Sequence, residues 1–313
     1  MKFRFLSFDE LAEIVESEPI DAESFALKRE AFISGKTEAG IEAELDRRIA
    51  VTRKALIRGL GEPQRSRSGL TDGAAVKLAA FPSPLVRDGL FARALRYSLA
   101  INEVNACGGK VVSFPTAGSS GIVPGSIWAW WDSRASRASR TPSADPDASD
   151  VPAALDPPYD PLLRGAFLNA SLAGILIAQG ATLAGSEGGC QAECGAAGAM
   201  AAAALGYLQG LPLRGRFDAA ALSLKNSLGL VCDPVAGLVE VPCVKRNAFV
   251  AANALVAVEL AMAGIRSAVP FDEVVSAMKS IGDSLPSSLR ESAEGGLAMT
   301  PTGLACKRRL EES

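Results

Sequence analysis

The sequence predicts an all-α fold, a compact helical domain rich in Ala and Gly, and three observations support this prediction. Apolar residues make up 48% of the 313 residues and aromatic residues only 6%, a composition that favours closely packed helices over a β-sandwich. Apolar side chains recur at helical spacing in several segments. Two stretches without charge, 165–186 and 194–213, have the all-round apolar character of helices at the centre of a large helical domain.

The predicted elements follow in order along the chain. Residues 1–65 form an N-terminal helical segment, in which Ser7 begins a helix and 38–60 carry apolar residues at helical spacing among charges. The segment 111–125 is rich in Gly, Ser, Thr and Pro and is predicted to be an ordered loop that opens a helix. The remaining predicted helices are 87–107, the Ala-rich region to about 210, 217–228, 246–264 and 271–282, followed by a Gly-rich tail.

A low-complexity segment interrupts these helices. Residues 132–161 are composed mainly of Ser, Ala, Pro and Asp. Such a segment buries too little apolar surface to order itself, so we predict a flexible surface insert. It divides the main helical domain into two parts, 66–131 and 162–313, which follow the N-terminal segment 1–65.

The charge and the residue types exclude several functional classes. A formal net charge of −3 gives no reason to expect a nucleic-acid partner. The absence of histidine excludes Ser–His–Asp and Cys–His mechanisms and any zinc site that contains histidine. The N-terminal sequence does not resemble a signal peptide, so we predict a reduced, cytoplasmic setting for the six cysteines.

The two uncharged stretches are also long enough to cross a membrane. They are rich in Ala and Gly, however, carry Asn169, Gln179 and Gln209, and lack flanking aromatic belts. We therefore predict buried helices of a soluble protein and no membrane contact.

Three cysteines, Cys190, Cys232 and Cys243, lie next to Gly or Pro at predicted helix ends. Thiolates at helix ends, with free backbone N–H groups nearby, suit an iron–sulfur cluster whose sulfurs accept hydrogen bonds. Two alternatives fit the same pattern: all three are buried thiols, or they bind structural zinc together with Cys194, four residues after Cys190. From the residues alone the three interpretations stay open.

Five longer segments carry more specific information. They are GLTDGAAVKL (69–78), PTAGSSGIVPG (115–125), AGSEGGCQAECG (184–195), LKNSLGLVCDPVAGLVEVPCVKRNA (224–248) and ESAEGGLAMTPTG (291–303). In this order they closely resemble the α chain of bacterial iron–sulfur L-serine dehydratases. The resemblance implies that 66–131 and 162–313 form a catalytic domain, an L-serine ammonia-lyase that makes pyruvate and ammonia from L-serine.

The resemblance further implies a cofactor and a partner. Cys190, Cys232 and Cys243 would hold a [4Fe–4S] cluster through three irons, which leaves the fourth iron open to L-serine as a Lewis acid. Pyridoxal phosphate (PLP) is not expected. Since the chain lacks the Ser-rich motif that related proteins carry in a separate β domain, we expect a β-subunit partner.

Residues within these motifs are candidates for the remaining roles. The catalytic candidates are Lys225, Asn226 and Glu193, with Glu187 and Lys245 as further candidate bases. The substrate-binding candidates are Thr116, Ser119, Ser120, Gly121, Arg246 and Asn247. Ordinary structural roles are the alternatives, such as helix capping for Asn247 and charge compensation at a helix end for Glu193. The alternative functions are cysteine desulfidation and a non-catalytic, zinc-stabilised helical protein.

The other three cysteines stand outside this assignment. Cys194 occupies a position where close relatives have an apolar residue. Cys306 is an extra cysteine near the tail, which we interpret as an exposed thiol rather than a ligand of the open iron. Cys107 is predicted to be buried.

Overall fold

The protein is described by a computed structural model that covers residues 3–83, 85, 89–138 and 152–312. Over these residues the chain is helical, and it contains no strand, only isolated β-bridges between Arg65 and Asp72 and between Cys232 and Arg290. The helices are α1 (Phe8–Ser17), α2 (Ala22–Ser34), α3 (Glu38–Gly61), α4 (Ala74–Ala79), α5 (Leu90–Ala106), α6 (Ile122–Ala138), α7 (Pro161–Gly180), α8 (Gly185–Gly188), α9 (Ala196–Leu208), α10 (Leu213–Lys225), α11 (Cys243–Met262), α12 (Phe271–Ser284) and α13 (Pro301–Glu311). The predicted all-α fold is confirmed.

Side-chain caps set where several helices begin. The Ser7 hydroxyl accepts a hydrogen bond from the Glu10 N–H at 3.2 Å, which confirms the predicted helix start. The Thr37 hydroxyl accepts from the Gly40 N–H at 3.1 Å in the same way. These caps satisfy backbone donors that a helix leaves unpaired at its N-terminus.

The Ala-rich helix α9 lies at the centre of the fold. It packs against α6, α7, α10 and α11, and every residue of Ala196–Leu208 except Tyr207 is buried. Alanine and glycine permit this close packing because their small size lets neighbouring backbones approach one another. At Gly198, for example, a Cβ atom would lie 2.8 Å from Val250 Cγ1 of α11. The small residues that predicted the fold class therefore form its core.

Helix α7 has the length and composition of a membrane-crossing helix. Within the described residues it is the one helix with both properties, and 61% of its most apolar stretch is buried inside the protein. The core helix of a soluble protein has the same properties, so α7 by itself is weak evidence for a membrane.

The prediction of a flexible insert beginning at residue 132 is wrong for 132–138, which complete α6. The buried guanidinium of Arg53 on α3 pairs with Asp132, with 2.8 Å between Nη1 and Oδ2. The same guanidinium donates to the Ala153 carbonyl and lies over the Trp128 ring, 4.5 Å from its centroid. Tertiary contacts therefore hold the helix at the point where its sequence becomes polar. Residues 139–151 of the predicted insert lie outside the described residues, and the domain division stays a prediction.

Three further sequence predictions need correction at the C-terminal part and around the cysteines. The Gly-rich tail ends in α13, which Thr300 caps by accepting a hydrogen bond from Gly303 N–H at 3.1 Å. Cys306 on this helix is buried, with Arg309 Nη2 3.7 Å from its sulfur, because α13 packs back onto the fold. Cys107 is only half-buried, since it follows α5 at its C-terminus.

The N-cap residue of the short helix α4 is Gly73, which has no side chain to cap the helix. Glu103 of α5 supplies the cap instead. The Glu103 carboxylate is fully buried and accepts hydrogen bonds from Ala74 N–H at 2.6 Å and Ala75 N–H at 3.0 Å. Burial raises the pKa of Glu103, while these two donors oppose that rise.

Glu103→Ala is expected to lower the free energy of unfolding by about 2–3 kcal/mol, because two buried N–H donors lose a charged acceptor. Urea denaturation followed by circular dichroism measures the change. The exposed Glu13→Ala is the matched control and is expected to change the stability little. Equal stability of the two variants would contradict a capping role for Glu103.

Candidate active site at the cysteines

The five motif segments meet on one side of the fold, and buried side chains join them. Glu240, three residues before Cys243, is buried and accepts hydrogen bonds from the hydroxyls of Ser68 at 2.8 Å and Thr71 at 2.7 Å. This carboxylate ties the segment 69–78 to the segment that carries Cys232 and Cys243. Two segments that are distant in the sequence thus lie side by side next to the cysteines.

The three predicted ligand cysteines are buried in three different local settings. Cys190 lies between α8 and a π-helical turn, Gln191–Gly195. Cys232 lies in the loop after α10, and Cys243 is the first residue of α11, which begins three residues earlier than predicted because Pro242 supplies its N-cap position. Each therefore lies at a helix end or in a loop, as predicted.

Backbone hydrogen bonds bring the Cys190 segment to the Cys232 loop. The Gln191 N–H donates to the Leu230 carbonyl at 3.0 Å, and the Gln191 side chain accepts from the Gly229 N–H at 2.9 Å. Gly189 has a φ of +72°, and a Cβ atom there would lie 2.8 Å from the Leu230 carbonyl oxygen. Glycine is required at this position by both conformation and space.

Cys190 and Cys194 shift each other's pKa in opposite directions. Their hydrogen bond, together with the Arg246 guanidinium, outweighs burial and lowers the pKa of Cys190 to about 7. The same hydrogen bond and burial raise the pKa of Cys194. Cys190 is therefore the thiol of the pair that loses its proton more readily.

Cys232 and Cys243 behave differently from Cys190. Burial raises the pKa of Cys243 to about 12, and the charge of Cys190 adds to this rise. Burial also raises the pKa of Cys232, with the Glu193 carboxylate as the second cause. Both thiols thus hold their protons unless a positive group faces them, and a metal centre is such a group.

Glu193 lies in the middle of this arrangement. Its Oε2 lies 3.6 Å from Cys232 Sγ, and burial raises the pKa of Glu193 while a hydrogen bond with the Thr116 hydroxyl opposes the rise. At Gly185 a Cβ atom would lie 2.6 Å from Glu193 Oε2 and 3.3 Å from Cys232 Sγ. The glycine leaves room where the carboxylate and the thiol meet.

Arg246 is the cation of the site. Its Nη1 donates to the Val231 carbonyl at 3.0 Å, next to Cys232. Although burial opposes it, the charge of Cys190 raises the pKa of Arg246, with smaller contributions from Cys194 and Cys243. The guanidinium thus favours negative charge on Cys190.

The predicted substrate loop is rigidly held. The Ser119 hydroxyl donates to the Phe114 carbonyl at 2.9 Å and lies 3.1 Å from the Thr116 hydroxyl. Asn102 of α5 donates to the Ala117 carbonyl and to the Ser120 hydroxyl, at 3.1 and 3.2 Å. Ser119 and Ser120 are fully buried, so Thr116 is the hydroxyl of this loop that reaches Glu193.

Asn247 connects this loop to α11. Its Nδ2 donates to the carbonyls of Gly118 and Cys243, both at 2.8 Å, and its Oδ1 accepts from the Gly121 N–H at 2.9 Å. A Cβ atom at Gly121 would lie 2.1 Å from the Ser98 carbonyl oxygen, so the loop packs directly on α5. The amide of Asn247 is engaged by the protein itself, which gives it a positioning role.

Lys225 and Asn226, two of the catalytic candidates, lie at the C-terminal end of α10. Lys225 ends α10, and the exposed Asn226 donates to the Asn253 side chain of α11 at 2.9 Å. Asn226 lines an open cavity of about 480 Å³ together with Arg246 and the exposed Phe249. The structure thus brings Glu193, Thr116 and Arg246 to the cysteines and places Asn226 on this neighbouring cavity.

Within the described ranges, no group of three or more His, Cys, Asp or Glu residues is arranged to hold a metal ion. The structure therefore shows buried thiols that influence one another's pKa, around one arginine. A tetrahedral zinc ion requires sulfurs about 2.3 Å from a single centre, whereas a cluster spreads its ligands over several irons.

Sequence reasoning missed Asp233, Glu240 and Asn102, the buried polar residues that hold the site together. Their signal was their position: Asp233 follows Cys232, and Glu240 stands among apolar residues three positions before Cys243. A charged residue inside an apolar run beside a candidate ligand indicates a buried, paired group.

The chain is similar to known proteins over most of its length. The family described as serine dehydratase alpha chain matches residues 11–298. A Bacillus subtilis protein named probable L-serine dehydratase, alpha chain, is 40% identical over 313 residues, 98% of this chain and 95% of the relative. The L-serine dehydratase alpha chain of Peptoniphilus asaccharolyticus is 37% identical over 302 residues, 96% of each chain.

A third relative differs in length. The Escherichia coli protein named L-serine dehydratase 1 is 36% identical over 206 residues, which are 65% of this chain and only 40% of the relative. The similarity therefore extends over nearly the whole length of the proteins named alpha chain and over a part of the longer one.

Proposed function

This chain belongs to the serine dehydratase alpha chain family and is a lyase, and from that premise we propose that it removes water from L-serine to give pyruvate and ammonia at a [4Fe–4S] cluster. The observation that carries the proposal is that Cys190, Cys232 and Cys243 are buried thiols near enough to shift one another's pKa, with the Arg246 guanidinium beside Cys190. In a chain without histidine, such a sulfur-only donor set suits iron in a cluster.

The residues fit the cluster in two further respects. Gly185 leaves space between Glu193 and Cys232 that a Cβ atom would fill. The guanidinium of Arg246 offsets the negative charge that three thiolates bring into a buried site. Cys190, Cys232 and Cys243 would hold the group, and Cys194 would remain the hydrogen-bond partner of Cys190.

When bound, a cluster with one iron free of protein thiolate supplies Lewis-acid assistance to the departure of the serine hydroxyl. The remaining work falls to side chains of this chain. Glu193 is our candidate for the base that takes the α-proton of serine, because its buried carboxylate lies beside Cys232 and is oriented by Thr116. We prefer Glu193 to Asn226, which is exposed and donates to Asn253, and to Lys225, which lies next to Asn226 at the end of α10.

The loop and the arginine have supporting roles in this proposal. Thr116 and the backbone of the loop contact the substrate, while Ser119, Ser120, Gly121 and Asn247 hold the loop in place through the hydrogen bonds described above. Arg246 neutralises the thiolates and holds the Cys232 loop through the Val231 carbonyl.

We also propose a β-subunit partner and a reduced, cytoplasmic setting. The partner is supported by the names of the two alpha-chain relatives, which match this chain over nearly their whole length. The setting is supported by the six cysteines, all of which are free thiols in the structure.

The proposal is tested with anaerobically purified protein after reconstitution with iron and sulfide, in the presence of its β partner. We expect pyruvate from L-serine and about four irons per chain, as one cluster requires. Sulfide from L-cysteine at a higher catalytic efficiency than pyruvate from L-serine would favour a desulfidase. One zinc per chain and no turnover of either amino acid would favour the zinc-stabilised helical protein.

A further inference from the structure

Asp233, the residue after Cys232, has a buried carboxylate, and only one of its oxygens accepts a hydrogen bond from the described residues. The side chain is 4% exposed, and its Oδ2 accepts a hydrogen bond from the Leu297 N–H at 2.8 Å. Its Oδ1 is buried without a hydrogen-bond partner among the described residues and lies 4.0 Å from Arg246 Nη2. Such an oxygen needs an explanation, because buried charge is unfavourable unless it is paired.

The C-terminal segment 289–297 holds Cys232 from both sides. The Cys232 N–H donates to the Leu289 carbonyl at 2.9 Å, and the Glu291 N–H donates to the Cys232 carbonyl at 2.7 Å. Glu291 adopts a φ of +63°, a conformation that is unfavourable for a non-glycine residue. The tertiary contacts of this segment therefore compensate local backbone strain next to Cys232.

Gly296 fits tightly against Asp233. Its φ is +55°, and a Cβ atom there would lie 2.3 Å from Asp233 Oδ2. The neighbouring Leu297 N–H donates to that same oxygen. The segment thus encloses the carboxylate, and only glycine permits the approach.

We propose that Asp233 is a positioning residue, which fastens the segment 289–297 over Cys232 through Oδ2 and draws the Arg246 guanidinium toward the thiols through Oδ1. This inference rests on the proposed function only in taking Cys232 as a cluster ligand. Asp233, the residue after that cysteine, contacts the C-terminal segment through one carboxylate oxygen and faces Arg246 with the other. It therefore sets how firmly the Cys232 thiol is held before any metal binds.

Three substitutions probe the two contacts. Asp233→Asn keeps an acceptor for the Leu297 N–H and removes the charge that faces Arg246. Asp233→Ala removes both contacts. Gly296→Ala leaves Asp233 in place but forces a methyl group against its carboxylate, so it loosens the same contact from the other partner.

The test measures how fast iodoacetamide alkylates Cys232 in anaerobic, metal-free protein, with mass spectrometry of the Cys232 peptide. We expect Asp233→Ala and Gly296→Ala to accelerate alkylation at least about tenfold, since each loses a buried hydrogen bond to a charged group. Asp233→Asn is expected to lie between these variants and the wild type. Alkylation of Cys107, outside this contact, is the internal control, and the exposed Asp283→Ala is the matched control variant.

A double-mutant cycle strengthens the test. In the Asp233→Ala background, Gly296→Ala is expected to add less acceleration than it does alone, because the methyl group then enters vacated space. After reconstitution, the single variants are expected to retain iron about 10-fold to 100-fold less tightly, the range typical of partners that orient ligands.

Three outcomes would overturn the proposal: an unchanged Cys232 rate in Asp233→Ala, equal acceleration of Cys107 and Cys232, or full additivity in the cycle. The alkylation assay involves neither serine nor a cluster. A protein that makes no pyruvate but shows the expected order of alkylation rates would therefore refute the proposed function and leave the positioning role in place.

Discussion

Replacing Cys232 by alanine is expected to reduce pyruvate formation from L-serine by more than about 100-fold, the upper range for losing a partner that merely orients a ligand. The reconstituted variant is also expected to lose most of its iron and its brown colour. The physical reason is that two remaining thiols cannot hold a cluster of four irons in place. Iron analysis, the visible spectrum and a pyruvate assay on anaerobic protein measure the effect.

Two cysteine variants serve as controls for this result. Cys107→Ala changes a half-buried thiol at the end of α5 and is expected to leave iron content and turnover unchanged. Cys194→Ala removes the hydrogen bond to Cys190 but no proposed ligand, so iron is expected to remain bound. Loss of metal from Cys194→Ala equal to that from Cys232→Ala would instead indicate a four-cysteine site.

Much of the fold was predictable because its signals are local. The Ser7 cap and the apolar spacing in 38–60 act over one or two helical turns, and α1 and α3 form where they indicate. The Ala-rich composition around residues 196–208 predicted the centre of the domain because small side chains are what close helix packing requires.

The errors arose where contacts between distant residues decide the structure. Asp132, the first of the helical residues 132–138, pairs with Arg53, which lies far away in the sequence. The sequence around Cys306 is charged and suggested exposure, yet α13 packs back onto the fold and buries the thiol. Such pairings leave no periodic signal in the sequence.

The candidate site was predictable in part for the same reason. The resemblance brought the three cysteines, Glu193 and Arg246 into one hypothesis, and in the structure these residues influence one another's pKa. The resemblance could not separate residues that face the thiols from those that hold the backbone. Asn247 illustrates this, because its amide bonds three backbone groups that only the folded chain brings within reach.

Glu193→Gln is expected to lower kcat for L-serine by about 10²- to 10⁴-fold, the contribution usual for a positioned general base. The substitution keeps the size of the side chain and an acceptor for Thr116, but an amide cannot take up the α-proton. Iron content is therefore expected to stay at the wild-type level, and KM is expected to change much less than kcat. Steady-state kinetics with iron analysis of the same samples separate these quantities.

Glu187→Gln is the matched control, because Glu187 lies in the same motif but its Oε2 accepts a hydrogen bond from Thr182 at 2.6 Å on the surface. If Glu193 is the base, Glu187→Gln retains the wild-type kcat. A loss of iron in Glu193→Gln would assign the carboxylate to stabilising the site, since Glu193 Oε2 also lies 3.6 Å from Cys232 Sγ. Retention of both iron and kcat would remove Glu193 from the mechanism and return the role to another of the candidate bases, because the α-proton must still be taken up for water to be eliminated.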